Sequence, residues 1–243
     1  MNRKNLCLLL LILLPNLYVI AQDFEAEKQY NWFDVTIGIE NTGLYNGVEY
    51  IDVEKATGDF KKFLYNNGFQ SGNIAYDGQT YYDIPLKYDV FNDEVILQLT
   101  GKNGVTILQP FKELITSFNI TNRRFERIEN KTTEDGDEFS GFYEELLKTP
   151  QLTVFKKHRK KRLKRIKRKT LIYQFKLKNP YYFLYYQNKY YSVKNKRDFI
   201  QLFPGFKKEI NSIGIDGSVK RDNPDAGILA YAKKINTLLS KQK

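Results

Sequence analysis

Cysteine is nearly missing from this sequence. Its 243 residues hold one, Cys7, with one histidine, one methionine and one tryptophan. A single thiol excludes an internal disulfide, and one imidazole beside one thiol excludes zinc sites built from the usual ligands. Proline and glycine are sparse too, at 7 and 15 residues, and no Pro-rich or Gly/Ser-rich linker divides the chain. There is no glycine-rich phosphate loop, no serine elbow and no internal repeat. Beyond the first 21 residues no segment is apolar enough to span a bilayer, which takes about 20 apolar residues in a row.

What is present begins with an export signal. Arg3 and Lys4 supply a positive start, Leu6 to Leu14 form an unbroken apolar stretch, and Val19-Ile20-Ala21 offers a small-residue cleavage site before Gln22. Residues 1–21 are therefore expected to be a signal peptide, and residues 22–243 a single domain. The expected destination is the periplasm, the outer-membrane surface or the medium. Cys7 would leave with the signal, so the processed chain would rest on its apolar core alone. That core should be rich in rings, given 18 Tyr and 17 Phe.

Charge is strongly divided. Residues 22–149 hold 12 Lys/Arg against 23 Asp/Glu, net −11, whereas residues 150–243 hold 25 against 5, net +20. Most of the excess lies in one run, Lys156 to Lys169 (KKHRKKRLKRIKRK), with 11 Lys/Arg and no acid.

Periodicity points to sheet first and helix last. Asp34 to Ile39 reads as a short strand, and Tyr45-Asn46-Gly47-Val48 as a hairpin turn. Strands at 73–76 and 79–90 flank Asp77-Gly78. Tyr82, Ile84, Leu86, Tyr88 and Val90 are expected on the inner face, Asp83, Pro85, Lys87 and Asp89 on the outer. Pro85 cannot donate to a ladder, which marks an edge or a bulge. Further strands are expected at 94–99, 105–108, 111–120 and 125–128, with 142–147 open between strand and helical turn. Leu171 to Leu177 alternate, and Tyr181 to Tyr186 with Tyr190 to Val193 read as an aromatic hairpin. Helices follow at 196–203 and 206–213. A last one is capped at Asn223 and has Ile228, Tyr231, Ile235, Leu238 and Leu239 on one face. The expected class is α+β: a mainly antiparallel meander, strongly twisted or barrel-like, followed by C-terminal helices from about residue 196.

The basic run carries two readings. Its cations, Lys156, Lys157, Arg159, Lys160, Lys161, Arg162, Lys164, Arg165, Lys167, Arg168 and Lys169, would create a strong local potential and attract an anionic partner. That partner would be lipopolysaccharide, an acidic lipid, a glycan or an acidic protein. Nucleic acid fits less well, because the chain is exported and the run lacks interleaved rings. The bland reading is an extended hairpin of solvated strand faces that partly answers the acidic first half, with Leu163 and Ile166 tucked inward. A continuous helix would stack like charges four residues apart.

Catalysis has thinner support, and no cofactor is implied. His158 reads as a surface residue whose cationic neighbours favour its neutral form. Asp83 and Asp89, with Asp77, Asp93 and Glu94 near the ends of their strand, make a carboxylate-dependent glycan hydrolase the alternative function. Glu134-Asp135-Gly136-Asp137-Glu138 lacks the spacing of a helix-loop-helix calcium site. The tyrosine clusters read mainly as core and cross-strand pairs.

Several short features are shared with a known group: Ala21-Gln22 closing the signal, Leu44-Tyr45-Asn46-Gly47 with Tyr50, and Gly72 to Gly78 followed by Leu86-Lys87-Tyr88-Asp89. Phe142-Tyr143, the Lys-rich strand pair and the Tyr-rich hairpin leading into 196–203 continue them. Through these the chain resembles a broad set of uncharacterised exported proteins of Bacteroidota-type bacteria. The resemblance implies an envelope location and a β-rich body, and brings no activity and no site residue. The expectation is therefore an exported, non-catalytic envelope protein whose basic segment contacts an anionic partner.

Overall fold

The protein's structure, a computed structural model, describes residues 28–242 apart from 31, 33–35, 55, 57, 59, 66 and 168. The expected signal peptide lies outside the described residues. The chain forms β1 (Gly47–Glu49), β2 (Gln70–Tyr76), β3 (Gln79–Asp89), β4 (Glu94–Gly101), β5 (Gly104–Pro110), β6 (Ile115–Ile120) and β7 (Arg123–Thr132). It continues through β8 (Glu138–Lys148), β9 (Leu152–Lys157), β10 (Lys160–Lys167), β11 (Thr170–Leu177), β12 (Tyr181–Tyr186) and β13 (Lys189–Ser192). Four helices close it: α1 (Lys196–Leu202), α2 (Lys207–Asn211), α3 (Gly217–Asp222) and α4 (Asp225–Ser240). Eleven strands make one antiparallel sheet in the order β1-β5-β4-β3-β2-β6-β7-β8-β9-β12-β13, while β10 and β11 form a separate two-stranded sheet. The α+β class and the sheet-then-helix order are as the periodicity predicts. The sheet is twisted and open, not a closed barrel.

The inner face of β3 is as expected from Ile84 onward and slips before it. Tyr81 is buried where alternation predicts Tyr82, because the β2–β3 register shifts between Gly72/Ile74 and Ile84/Tyr81. Asp83 takes φ 54° in the extra step, so this is a bulge. Pro85 sits just past it, and the β4 ladder on β3 starts only at Leu86, so the missing N–H removes no bond on that side. Three more register shifts, in β2–β6, β7–β8 and β8–β9, add twist along the sheet.

Twist curls the first eight strands around an aromatic core. Tyr88 of β3 meets Phe118 of β6 at 5.4 Å, Phe125 of β7 at 5.3 Å and Phe142 of β8 at 6.0 Å, although β3 and β8 lie far apart in the strand order. Phe118 and Phe125 are stacked at 4.8 Å and Phe142 stands edge-on to Phe118. Leu44, Ile74, Leu86, Leu97 and Leu108 fill the rest. A second core lies where the helices cover β9 and β12: Val154, Leu184 and Phe199 with Ile228, Tyr231, Ala232 and Ile235 of α4. A third joins Ile128, Phe139, Tyr143, Phe155 and Phe183.

Three local expectations need correction. Residues 36–37 are helical and Ile39–Asn41 form a 3-10 turn, where a strand was expected; residues 34–35 of that span lie outside the described residues. Asn46-Gly47 is no hairpin turn. Asn46 has φ −78°, its carbonyl accepts from the Tyr76 hydroxyl at 3.0 Å, and Gly47 opens β1 against β5. Asn223 accepts from the Asp225 amide at 3.1 Å, yet Pro224 occupies the capping position of α4, one residue later than expected.

Phe118 is 1% exposed and touches three rings. Phe118→Ala is expected to cost about 3–5 kcal/mol, the range for emptying a buried phenylalanine site. Urea unfolding of the variant against the parent protein measures it.

Candidate functional site

The basic run divides at residue 160 into a seated half and a projecting half. Lys156 and Lys157 are consecutive in β9, so they point to opposite faces. Lys156 Nζ donates to Asp225 Oδ2 at 2.7 Å, and the Tyr182 hydroxyl donates to the other oxygen at 2.6 Å. Lys157 Nζ donates to Asp93 Oδ1 at 2.6 Å and to the Phe142 carbonyl at 3.1 Å. Asp93 also accepts from Tyr88 at 2.6 Å, from Lys112 at 2.6 Å and from the Phe142 amide at 3.2 Å. Burial alone would raise its pKa; Lys157 and Lys112 overcome that and hold it below the ordinary aspartate value. Gly141 lets the carboxylate approach. Its φ is 107°, and a Cβ there would lie 2.0 Å from Asp93 Oδ2.

His158 is not on the surface, in contrast to the expectation from its neighbours. It follows β9, packs on Phe125 at 5.8 Å and meets Glu144 Oε2 through Nε2 at 2.5 Å. Arg123 donates to the other Glu144 oxygen at 2.8 Å. Burial lowers the His158 pKa and Lys156 adds to the effect, outweighing the pull of Glu144. Burial also works against the Glu144 charge, but the bond from His158 and the charge of Arg123 keep its pKa below the usual value. The consistent state is a neutral imidazole donating Nε2–H to an ionised carboxylate.

The next cations tie the hairpin β10–β11 to the body. Arg159 donates to the Asn179 carbonyl at 3.2 Å and lies 3.7 Å from the Tyr181 ring centre. Lys160 Nζ donates to the carbonyls of Lys61 and Phe63 at 2.7 and 2.5 Å. Arg162 pairs with Glu54 at 2.5 Å. Phe175 of β11 is buried against Phe91 at 5.1 Å, and its amide donates to the Phe60 carbonyl at 3.0 Å. The segment that receives the hairpin holds its own charge cluster. Lys62, 5% exposed, lies 3.1 Å from Asp52 and 3.6 Å from both Glu54 and Asp89. Burial opposes its charge, and Tyr50 and Asp89 more than restore it, leaving its pKa raised.

Lys161, Lys164, Arg165 and Lys169 are exposed, and none has a carboxylate within 4.0 Å among the described residues. Lys167 ends β10 opposite Thr170, and Arg168 lies outside the described residues. Leu163 is half-buried, but Ile166 is 81% exposed and not tucked inward. Three residues apart on a strand, the two point to opposite faces, so one surface cannot cover both.

The carboxylates suggested for hydrolysis are scattered. Asp89 is fully buried, not outward: it accepts from the amides of Phe91 and Asn92 at 2.9 and 3.0 Å and from the Asn92 side chain at 2.9 Å, and it faces Lys62. Asp83 is exposed on the bulge and Asp77 sits in a turn at φ 48°. Glu94 is half-buried, with its pKa raised by burial and by Asp89. The acidic loop is a compact turn in which the Thr133 hydroxyl accepts from the Asp137 amide at 3.1 Å, while Glu134 pairs with Lys189 at 2.9 Å. Among the described residues no three His, Cys, Asp or Glu side chains converge on a metal position. The tyrosine hairpin supplies core and cross-strand contacts, with Phe183 stacked on Phe139 at 4.4 Å and Tyr185 beside Tyr190 at 4.7 Å.

Reading along the chain missed the partners of the seated cations. Asp93 and Lys157 are 64 residues apart, and nothing local connects them. The one available signal was global: an acidic first half must meet a basic second half somewhere. No family model, no curated protein and no solved structure matches the chain.

The shifts at His158, Glu144 and Asp93 are all downward, so the unfolded chain binds protons more readily than the folded one. Stability is then full above the unfolded values, about 6.5 for histidine and about 4 for carboxylates. It falls as pH drops below about 6.5 through His158, then again below about 4 through Glu144 and Asp93. Urea unfolding from pH 8 to pH 3 is expected to show both phases. His158→Asn should flatten the first and leave the second.

Proposed function

We propose that this chain is an exported, non-catalytic envelope protein that presents the β10–β11 hairpin to an anionic partner. The observation that carries this reading is the separation of the basic run into neutralised and free cations. Burying an unpaired charge is costly, so the fold supplies Asp225, Asp93, Glu54 or backbone carbonyls to the cations it encloses. Among the described residues Lys161, Lys164, Arg165 and Lys169 receive no such partner, and they stand on the two strands and the turn of one small hairpin. Like charges held together repel, and an external anion relieves that repulsion.

The carboxylates support the same reading. Asp89 and Asp93 are held by amides and ammonium groups, which leaves them poorly placed to act as general acid or base. Among the described residues no helix is long and apolar enough to cross a membrane, so contact with the envelope would be peripheral unless strands take part. The resemblance to exported proteins of Bacteroidota-type bacteria favours the same compartment.

Two measurements test this. N-terminal sequencing of the exported form should start at Gln22; recovery of an unprocessed chain from the cytoplasm would remove the premise. Replacing Lys161, Lys164, Arg165 and Lys169 by Gln should weaken binding to lipopolysaccharide and to heparin by about fivefold per cation, the scale of one basic group at an anionic surface. Binding should also fall with added salt. Equal binding by both proteins would mean that the free cations are only a solvated surface.

A further inference from the structure

The tip of the hairpin carries more than charge. β10 and β11 are in register, so paired residues share a face: Arg162 with Phe175, Lys164 with Tyr173, and Ile166 with Leu171. At its base this face packs on the body through Arg162 to Glu54 and Phe175 to Phe91, and the edge of β11 bridges Ala56 at Tyr173. Past Tyr173 the body ends and the same face continues into solvent. There Ile166 is 81% exposed and Leu171 is 43% exposed, side by side one rung short of the end of the ladder. Lys164 lies one rung-pair back on the same face, Arg165 on the opposite face and Lys169 in the turn, all exposed and, among the described residues, without a carboxylate partner.

We infer that this tip is an interfacial anchor for an anionic lipid bilayer, in which Ile166 and Leu171 enter the boundary between headgroups and acyl chains while Lys164, Arg165 and Lys169 hold lipid phosphates. The inference rests on the anion-binding reading above and names its partner.

Three physical points favour a bilayer. A soluble glycan would engage the cations but has no use for two exposed aliphatic side chains. An acidic protein needs about 800 Å² of surface on each side of a stable interface, which a tip of two apolar residues does not offer. A bilayer accepts a narrow wedge. Apolar side chains enter about 5–10 Å, and basic side chains above them meet anionic headgroups. Apolar insertion and electrostatic attraction are each weak alone and become stable together.

The test uses the protein recovered after export, so that the apolar stretch at its start does not itself bind lipid. Co-sedimentation is measured with equimolar phosphatidylglycerol–phosphatidylcholine vesicles, with phosphatidylcholine vesicles and, as a soluble anion, heparin. Ile166→Asn with Leu171→Asn keeps every charge. It is expected to lower binding to the anionic vesicles by about tenfold or more and to leave heparin binding unchanged. Both positions are exposed, so an unchanged melting temperature is expected and confirms folding. In a Trp32→Phe background, Ile166→Trp should shift its emission to the blue with anionic vesicles and not with heparin. Unchanged vesicle binding by the Asn variant, or no blue shift, overturns the anchor and leaves the anion site standing. Binding to heparin but not to vesicles does the same. Binding to neither overturns both.

Discussion

One carboxylate sets the shape of the larger half of this protein. Asp93 lies in the turn between β3 and β4, yet its ligands come from the β5–β6 connection, from β8 and from β9. A flat sheet would hold these elements many strands apart. The sheet must therefore curl until the β3–β4 turn reaches β8 and β9. Gly141 is the point at which contact becomes possible, since any side chain there would occupy the place of the carboxylate. The stack of Tyr88, Phe118, Phe125 and Phe142 fills the space that the curl encloses, and the Tyr88 hydroxyl joins the ring cluster to the charge cluster. Apolar burial supplies most of the stabilisation. The charge network, expensive to break once buried, selects this curvature over others that would bury the same rings.

The second half is organised by the same requirement. Lys156 brings Asp225 and therefore the first turn of α4 onto β9, so an ion pair sets the height of the helix while Ile228, Tyr231 and Ile235 supply the packing. Glu144 accepts from both Arg123 and His158, tying β7 and β8 to the end of β9. What remains of the basic run is carried outward on a hairpin anchored by Arg162, Lys160 and Phe175. The division between structural and free cations follows from where the body stops, not from any difference in residue type.

Much of the sheet was legible because its signals are local. Asp77-Gly78 marks a turn, Leu171 to Leu177 alternate, and the change of period at residue 196 marks the start of α1. Errors fell where a distant contact competes with a local preference. Asn46-Gly47 has the form of a hairpin turn, but Tyr76 and β5 hold it extended. Tyr81 replaces Tyr82 in the core because a bulge at Asp83 shifts the alternation by one. His158 stands among cations in the sequence and beside a carboxylate in space.

The sequence by itself determined the class of fold, the position of the basic run and the division of charge between the two halves, because periodicity and composition are properties of neighbours along the chain. Only the tertiary structure decided which cations are neutralised, which carboxylates are buried and that Ile166 and Leu171 stand free at the end of the hairpin. Those outcomes depend on electrostatic and apolar contacts over a few ångströms between residues that the chain often separates widely, as in Lys157 with Asp93, 64 residues apart, and Arg162 with Glu54, 108 apart.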